Sequence, residues 1–209
     1  MGNVCRLYPD EMPLATEGAA LNDQNVLIFP DKSIYKGEIV SSKPHGRGVL
    51  TRVNGSVHDG EWQAGHPQGY GKVVYPNKHI YEGYFVNGKR EGEGKYTTDD
   101  FVYTGEWKNS RMDGHGTLKY VDGRQYDGQF QNDKFHGTGV FLYKNGQKFK
   151  GNFYEGKRHG LGEIIFKDGS IYQGEWNYGN EVNAAAYTSK IGNSVIGTWN
   201  GESFTPKYQ

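Results

Sequence analysis

The sequence predicts an all-β protein, an elongated single-sheet solenoid of stacked antiparallel β-hairpins. Three observations carry that expectation. A five-residue pattern, aromatic-x-Gly-x-aromatic, returns through the chain at nearly constant spacing. Glycine supplies 32 of the 209 residues, yet 16 Tyr, 10 Phe and 4 Trp accompany it, and disordered glycine-rich chains are poor in such rings. Hydrophobic residues make up only 34%, too lean for a thick two-layer core.

The pattern stands at Tyr35–Ile39, His58–Trp62, Tyr81–Phe85, Tyr103–Trp107, Tyr126–Phe130, Phe149–Phe153 and Tyr172–Trp176, with a worn eighth copy at Val195–Trp199. Successive starts lie 23 residues apart, once 22. Counting each start as offset 0, a Gly-x-Gly follows at offset 11, from Gly46/Gly48 to Gly160/Gly162. In the seventh copy Asn183 and Ala185 hold those places, so the array decays there. Asn54-Gly55, Asp122-Gly123, Asn145-Gly146 and Asp168-Gly169 precede the next start. Such pairs favour tight hairpin turns with φ > 0. Upstream, VLIFPDKSI at 26–34 matches KVVYPNKHI at 72–80, half a repeat before the first full one.

Each unit therefore reads as a β-hairpin. Side chains alternate between faces along a strand. Offsets 0, 2 and 4 put rings and glycine on one face, and offsets 1, 3 and 5 put mainly Glu, Gln, Lys and Asp on the other. Both glycines of Gly-x-Gly are expected on the ring face. There they clear a groove in the pleat across which the rings lie. Ring burial, at roughly 25 cal/mol per Å² of apolar area, offsets an entropy cost of roughly 0.5–1 kcal/mol per glycine. A lone hairpin cannot bury its own face, so stability has to come from stacking. Three regions follow: a flexible tether at 1–25, the array at 26–182, and a degenerate repeat with C-terminal cap at 183–209.

The phased Tyr-x-Gly-x-Trp/Phe, Gly-x-Gly and Asp/Asn-Gly elements resemble the MORN (membrane occupation and recognition nexus) repeat family over residues 35–182. Ile39 and His58 depart from the pattern at aromatic places. Ser42, Ser110 and Asp133 depart from it at a commoner glycine place. The resemblance implies an extended antiparallel sheet used as a scaffold. Lipid binding is proposed for some members, and partner or self-association for others.

Several function classes are disfavoured. Lys plus Arg and Asp plus Glu balance at 24 each, so no net charge calls for nucleic acid. No run of 18 apolar residues occurs, so no segment is expected to cross a membrane as a helix. The single cysteine, Cys5, excludes an internal disulfide framework and a cysteine-based zinc site. Of the seven histidines, His45, His136 and His159 share one offset, a consequence of the period and not a converging ligand set. No catalytic, cofactor or metal site is expected, and the chain reads as a non-enzyme.

Three surfaces are candidates for function. Lys43, Lys89, Arg90, Arg111, Lys134, Lys157 and Arg158 fall near the hairpin turns and are expected to stack into a basic edge. Such an edge suits an anionic membrane surface, or it protects a sheet edge from aggregation. Val140, Leu142, Tyr154, Leu161 and Ile165 occupy offsets that are polar elsewhere. This patch is expected either to dock a partner helix or a second copy, or to lie under the tail 183–197. The opening MGNVC resembles an N-myristoylation signal at Gly2 beside a palmitoylatable Cys5, with Arg6 at the usual Ser/Thr place.

The function these features point to is a doubly acylated scaffold that holds a protein partner at a cytoplasmic membrane face. The alternatives are a soluble cytoskeletal or ciliary component and a regulatory subunit of a lipid-signalling enzyme.

Overall fold

The computed structural model describes residues 20–22, 26–182, 185–199 and 204–207. Gly2 and Cys5 lie outside the described residues. The chain divides into two compact units at Met112/Asp113. Among the described residues there is no helix; every element is a strand.

The first unit runs through β1 (Ala20–Asn22), β2 (Val26–Ile28), β3 (Ile34–Val40), β4 (Lys43–Thr51), β5 (Val57–Gln63), β6 (His66–Val74), β7 (Ile80–Val86), β8 (Lys89–Thr97) and β9 (Phe101–Lys108). Each strand pairs antiparallel with the next. β10 (Arg111–Tyr120) begins just before the boundary, and the second unit continues through β11 (Gln125–Gln131), β12 (Lys134–Leu142), β13 (Lys148–Tyr154), β14 (Lys157–Ile165) and β15 (Ile171–Asn177). It ends with β16 (Asn180–Glu181), β17 (Ala185–Thr188), β18 (Ser194–Trp199) and β19 (Phe204–Pro206). Here too the pairing is antiparallel, and β15 takes both β16 and β17 as partners. This is the all-β hairpin succession that the period predicts.

The register explains the glycines. In the first unit Gly37 faces Gly48, Gly48 faces Gly60, Gly60 faces Gly71, Gly71 faces Gly83, and Gly83 faces Gly94. The second unit repeats this from Gly116 through Gly128, Gly139, Gly151 and Gly162 to Gly174, and Ala185 faces Gly197 beyond it. Over this column lie the offset-0 rings: Tyr35, Tyr81, Tyr103, Tyr126, Phe149 and Tyr172 are fully buried. A Cβ on Gly83 or Gly94 would come within 2.5 Å of the Tyr81 hydroxyl. The hydroxyls of Tyr35, Tyr81, Tyr103 and Tyr126 each donate to the carbonyl three residues on, at 2.8–3.1 Å. The indole N–H groups of Trp62 and Trp107 donate back to Gly48 and Gly94, at 2.9 and 3.2 Å. The rings meet edge to face, as Tyr81 does with Phe85 and Trp107 at 5.1 and 5.3 Å, the arrangement that ring quadrupoles favour.

One expectation needs correction. Only the second glycine of Gly-x-Gly belongs to the ring face. The first, such as Gly46 at φ 53° or Gly69 at φ 80°, sits in the left-handed region within a β-bulge, and a Cβ there would strike Glu38 or Glu61 on the polar face. The tight turns fall where expected but are of two kinds. Both central residues are left-handed at offsets 6 and 7, as in Asn87-Gly88 (49° and 79°) and Asn132-Asp133 (49° and 67°), which is the type I′ hairpin. At Asn54-Gly55 only the glycine is left-handed, at φ 88°, and its N–H donates to Arg52 O at 2.9 Å. That is a type I turn closed by a glycine bulge. The asparagine serves by accepting the Ser56 N–H at 2.9 Å.

Candidate functional site

Strand alternation divides the basic residues into two groups. Lys43, Lys89 and Arg111 in the first unit, and Lys134 and Lys157 in the second, stand at offset 8 beside the type I′ turns and are exposed. Lys134 pairs with Glu155 of the next type I′ turn. Arg90 and Arg158 fall one residue later, at offset 9, where the side chain turns to the ring face. That position holds buried Pro44, Pro67, Met112 and Phe135 in other repeats. Arg90 is only 1% exposed. Its guanidinium lies over Trp107 at 4.3 Å, Tyr81 at 5.4 Å and Tyr96 at 5.5 Å, and Nη2 donates to Ser110 O at 2.9 Å. Arg158 is half-buried over Phe149 and Trp176, with Nη2 donating to Gly179 O at 3.1 Å. Both are ring-stacked ties to the next turn and do not belong to a basic edge.

The apolar patch lies on the polar face of the second unit. Leu161 is 70% and Tyr154 41% exposed, while Val140, Leu142 and Ile165 are half-buried. Val140 and Leu161 line a groove of about 970 Å³ whose floor is the glycine column Gly128, Gly139, Gly151, Gly162 and Gly174. Tyr154 stands outside the groove in a ring cluster with His136, His159 and Tyr178, at 5.1–5.8 Å. The tail does not fold over this surface. β17 joins β15, and β18 and β19 add on in turn, so the described tail lengthens the ladder. Ala185 and Ala186 form part of the groove wall.

Two roles were not anticipated from the sequence. The offset-10 side chain braces the following type I′ turn by accepting its first N–H. Gln68 takes that of Asn87 at 3.1 Å, Glu91 that of Asn109 at 2.9 Å, and Asp113 that of Asn132 at 3.1 Å. His159 Nδ1 takes that of Tyr178 at 3.4 Å. This gives His159 a structural role, legible only once the turns are placed. His58, at the offset-0 ring place, is 1% exposed and packs on Trp62 and Phe85 at 4.9 and 4.7 Å. Burial, and then the nearby positive charge of Arg52, lower its pKa from 6.5 to about 4. It is a neutral core ring.

A family model for the MORN repeat matches residues 35–57, 58–80, 81–100, 103–123, 126–148 and 149–171. The chain belongs to the MORN-repeat family. The glycine register carries the same unit beyond the last match, through Gly174. Among solved structures, the chain is similar to the SAS-4 (dCPAP) TCP domain of Drosophila melanogaster, in complex with a proline-rich motif of Ana2 (dSTIL). The two are 18% identical over 74% of this chain and 85% of that one, with a TM-score of 0.48. BamB from Moraxella catarrhalis is 11% identical over 89% of this chain and 83% of that one, with a TM-score of 0.19. At these scores neither structure bears on the function of this MORN-repeat protein. No curated protein matches the chain.

Proposed function

We propose that this MORN-repeat protein is a non-enzymatic scaffold that binds a protein partner on the polar face of its second unit. Acyl groups on Gly2 and Cys5 attach it to a cytoplasmic membrane surface. The groove supports the first half. It is a concave strip with a backbone floor, bordered by Leu161, which is 70% exposed, on a face that is polar in most other repeats. An exposed apolar strip of this kind marks a contact surface.

The membrane half rests on the sequence. A single myristoyl chain binds weakly, with K about 10⁴ M⁻¹, and stable attachment takes a second chain or a basic patch. Cys5 supplies a place for the second chain three residues after Gly2, and the exposed offset-8 cations add attraction to anionic headgroups.

Pull-down from native cells with Leu161→Asp/Tyr154→Asp tests the first half. Loss of a copurifying protein with unchanged circular dichroism supports it, and retention of every partner overturns it. Fractionation tests the second. Gly2→Ala should become cytosolic and Cys5→Ser weakly bound. A wild type that is wholly soluble favours a cytoskeletal role.

A further inference from the structure

A second exposed feature lies on the polar face of the first unit, apart from the groove. Tyr70 and Tyr84 are 51% and 52% exposed, whereas Tyr35, Tyr81 and Tyr103 on the opposite face are fully buried. The pair faces across β6 and β7, with ring centroids 5.5 Å apart and planes at 80°. Together they make an open right-angled corner. Its geometry is fixed from below. Tyr84 stands opposite a β-bulge, one residue of β7 against Glu91, Gly92 and Glu93 of β8, a feature that re-aims side chains, and the Tyr81 hydroxyl donates to its carbonyl at 3.1 Å.

Carboxylates flank the corner on both sides along the same row of offsets. On one side Glu93 and Glu106 face each other directly across β8 and β9, a like-charge pairing that costs stability. On the other stands Glu61 on β5, at the same offset as Tyr84 and facing Arg47. Lysines occupy a separate row: Lys72 bonds Glu82 at 2.7 Å, and Lys95 stands opposite Glu82 across β7 and β8. The corner therefore offers two ring faces with carboxylates on the strands to either side.

That combination recognises a guanidinium. A planar cation can stack on a tyrosine ring while its N–H groups reach a neighbouring carboxylate, whereas an ammonium acts as a point charge. The protein contains the same arrangement closed on itself. Arg124 lies 4.4 Å over the Tyr120 ring while Nε donates to Asp122 Oδ2 at 2.8 Å. The chain's own N-terminal segment is the wrong occupant, because residues 1–19 carry Arg6 against Asp10, Glu11 and Glu17.

We propose that the Tyr70/Tyr84 corner docks an arginine-bearing, net-basic segment of a partner polypeptide. This goes beyond the groove and is independent of it.

The test uses full-length protein and an acetylated peptide of alternating Arg and Gly, with Lys/Gly and Gln/Gly counterparts, titrated calorimetrically at low and moderate salt. The Arg peptide should bind best, the Lys peptide more weakly and the Gln peptide not at all, with affinity falling as salt rises. Tyr70→Ala/Tyr84→Ala should weaken the Arg peptide by about fivefold or more, from the loss of two cation–π faces. Tyr70→Phe/Tyr84→Phe should bind as wild type, since the faces remain, and Leu161→Asp in the groove should have no effect. Circular dichroism checks that each variant folds. Equal affinity for wild type and the double Ala variant overturns the proposal. So does an equal loss on Asp127→Asn, which would mean unspecific attraction to acids. Self-association that disappears in the double Ala variant overturns the partner assignment in favour of a second copy.

Discussion

The hairpins that start at His58 and Tyr81 are neighbours in one unit, share one register and differ in the residue laid over the glycine column. Tyr81 covers Gly83 and Gly94, donates its hydroxyl to Tyr84 O at 3.1 Å, and supports Arg90 on its face. His58 also covers its glycines, with Nε2 2.8 Å from where a Cβ on Gly71 would stand, but both its ring nitrogens are buried without a hydrogen-bond partner. The offset-9 place beside it holds Pro67. The comparison shows that the repeat needs a flat ring at offset 0 to fill the pleat. The hydrogen bond of the tyrosine and the cation stacked above it are additions that one hairpin has and the next lacks.

The largest way to break this comparison is to remove the ring that both Tyr81 and Arg90 lean on. Trp107→Ala should destabilise by about 3–5 kcal/mol, the range for buried aromatics, as measured by urea unfolding. Trp62→Ala, in the His58 hairpin, should cost less because no cation is stranded with it. Equal losses would mean that Arg90 adds nothing to the stack.

The next test uses pH. Because His58 has a folded pKa near 4 against 6.5 for the free side chain, the unfolded chain takes up the proton first. Its contribution is complete above pH 6.5 and is lost as pH falls toward 4, by about 3 kcal/mol in all at roughly 1.4 kcal/mol per unit. His58→Tyr should flatten that part of the stability profile and supply a hydroxyl for the Glu61 carbonyl. An unchanged slope between pH 6.5 and 4 would show that other groups set the acid limit.

The smallest effects sharpen the comparison between cations at one offset. Arg90→Ala should cost about 2–3 kcal/mol, because a desolvated cation–π stack is worth about 2 or more and the Ser110 carbonyl loses its donor. Arg158→Ala should cost about 1 kcal/mol, because its half-exposed head keeps water and its rings lie farther away. Arg90→Met should recover much of the loss, since Met112 fills the same offset fully buried. Equal losses for the two arginines would show that burial does not set the worth of the stack.

The sequence by itself determined the period, the all-β class, the hairpin unit and the face that carries the rings. A two-residue alternation repeated at a fixed spacing leaves a single self-consistent register. It also determined that a hydrophobic strip interrupts the polar face near Val140 and Leu161. Only the tertiary structure decided which glycine clears the ring face and which relieves a bulge, because that depends on φ. It decided that Arg90 and Arg158 leave the turn edge. A shift of one residue moves a side chain to the other face, and a charge count near a turn does not resolve a single residue. The offset-10 brace, the tail that extends the ladder and the Tyr70/Tyr84 corner likewise join residues on different strands. Their pairing is a matter of register between hairpins, which no local stretch of the sequence displays.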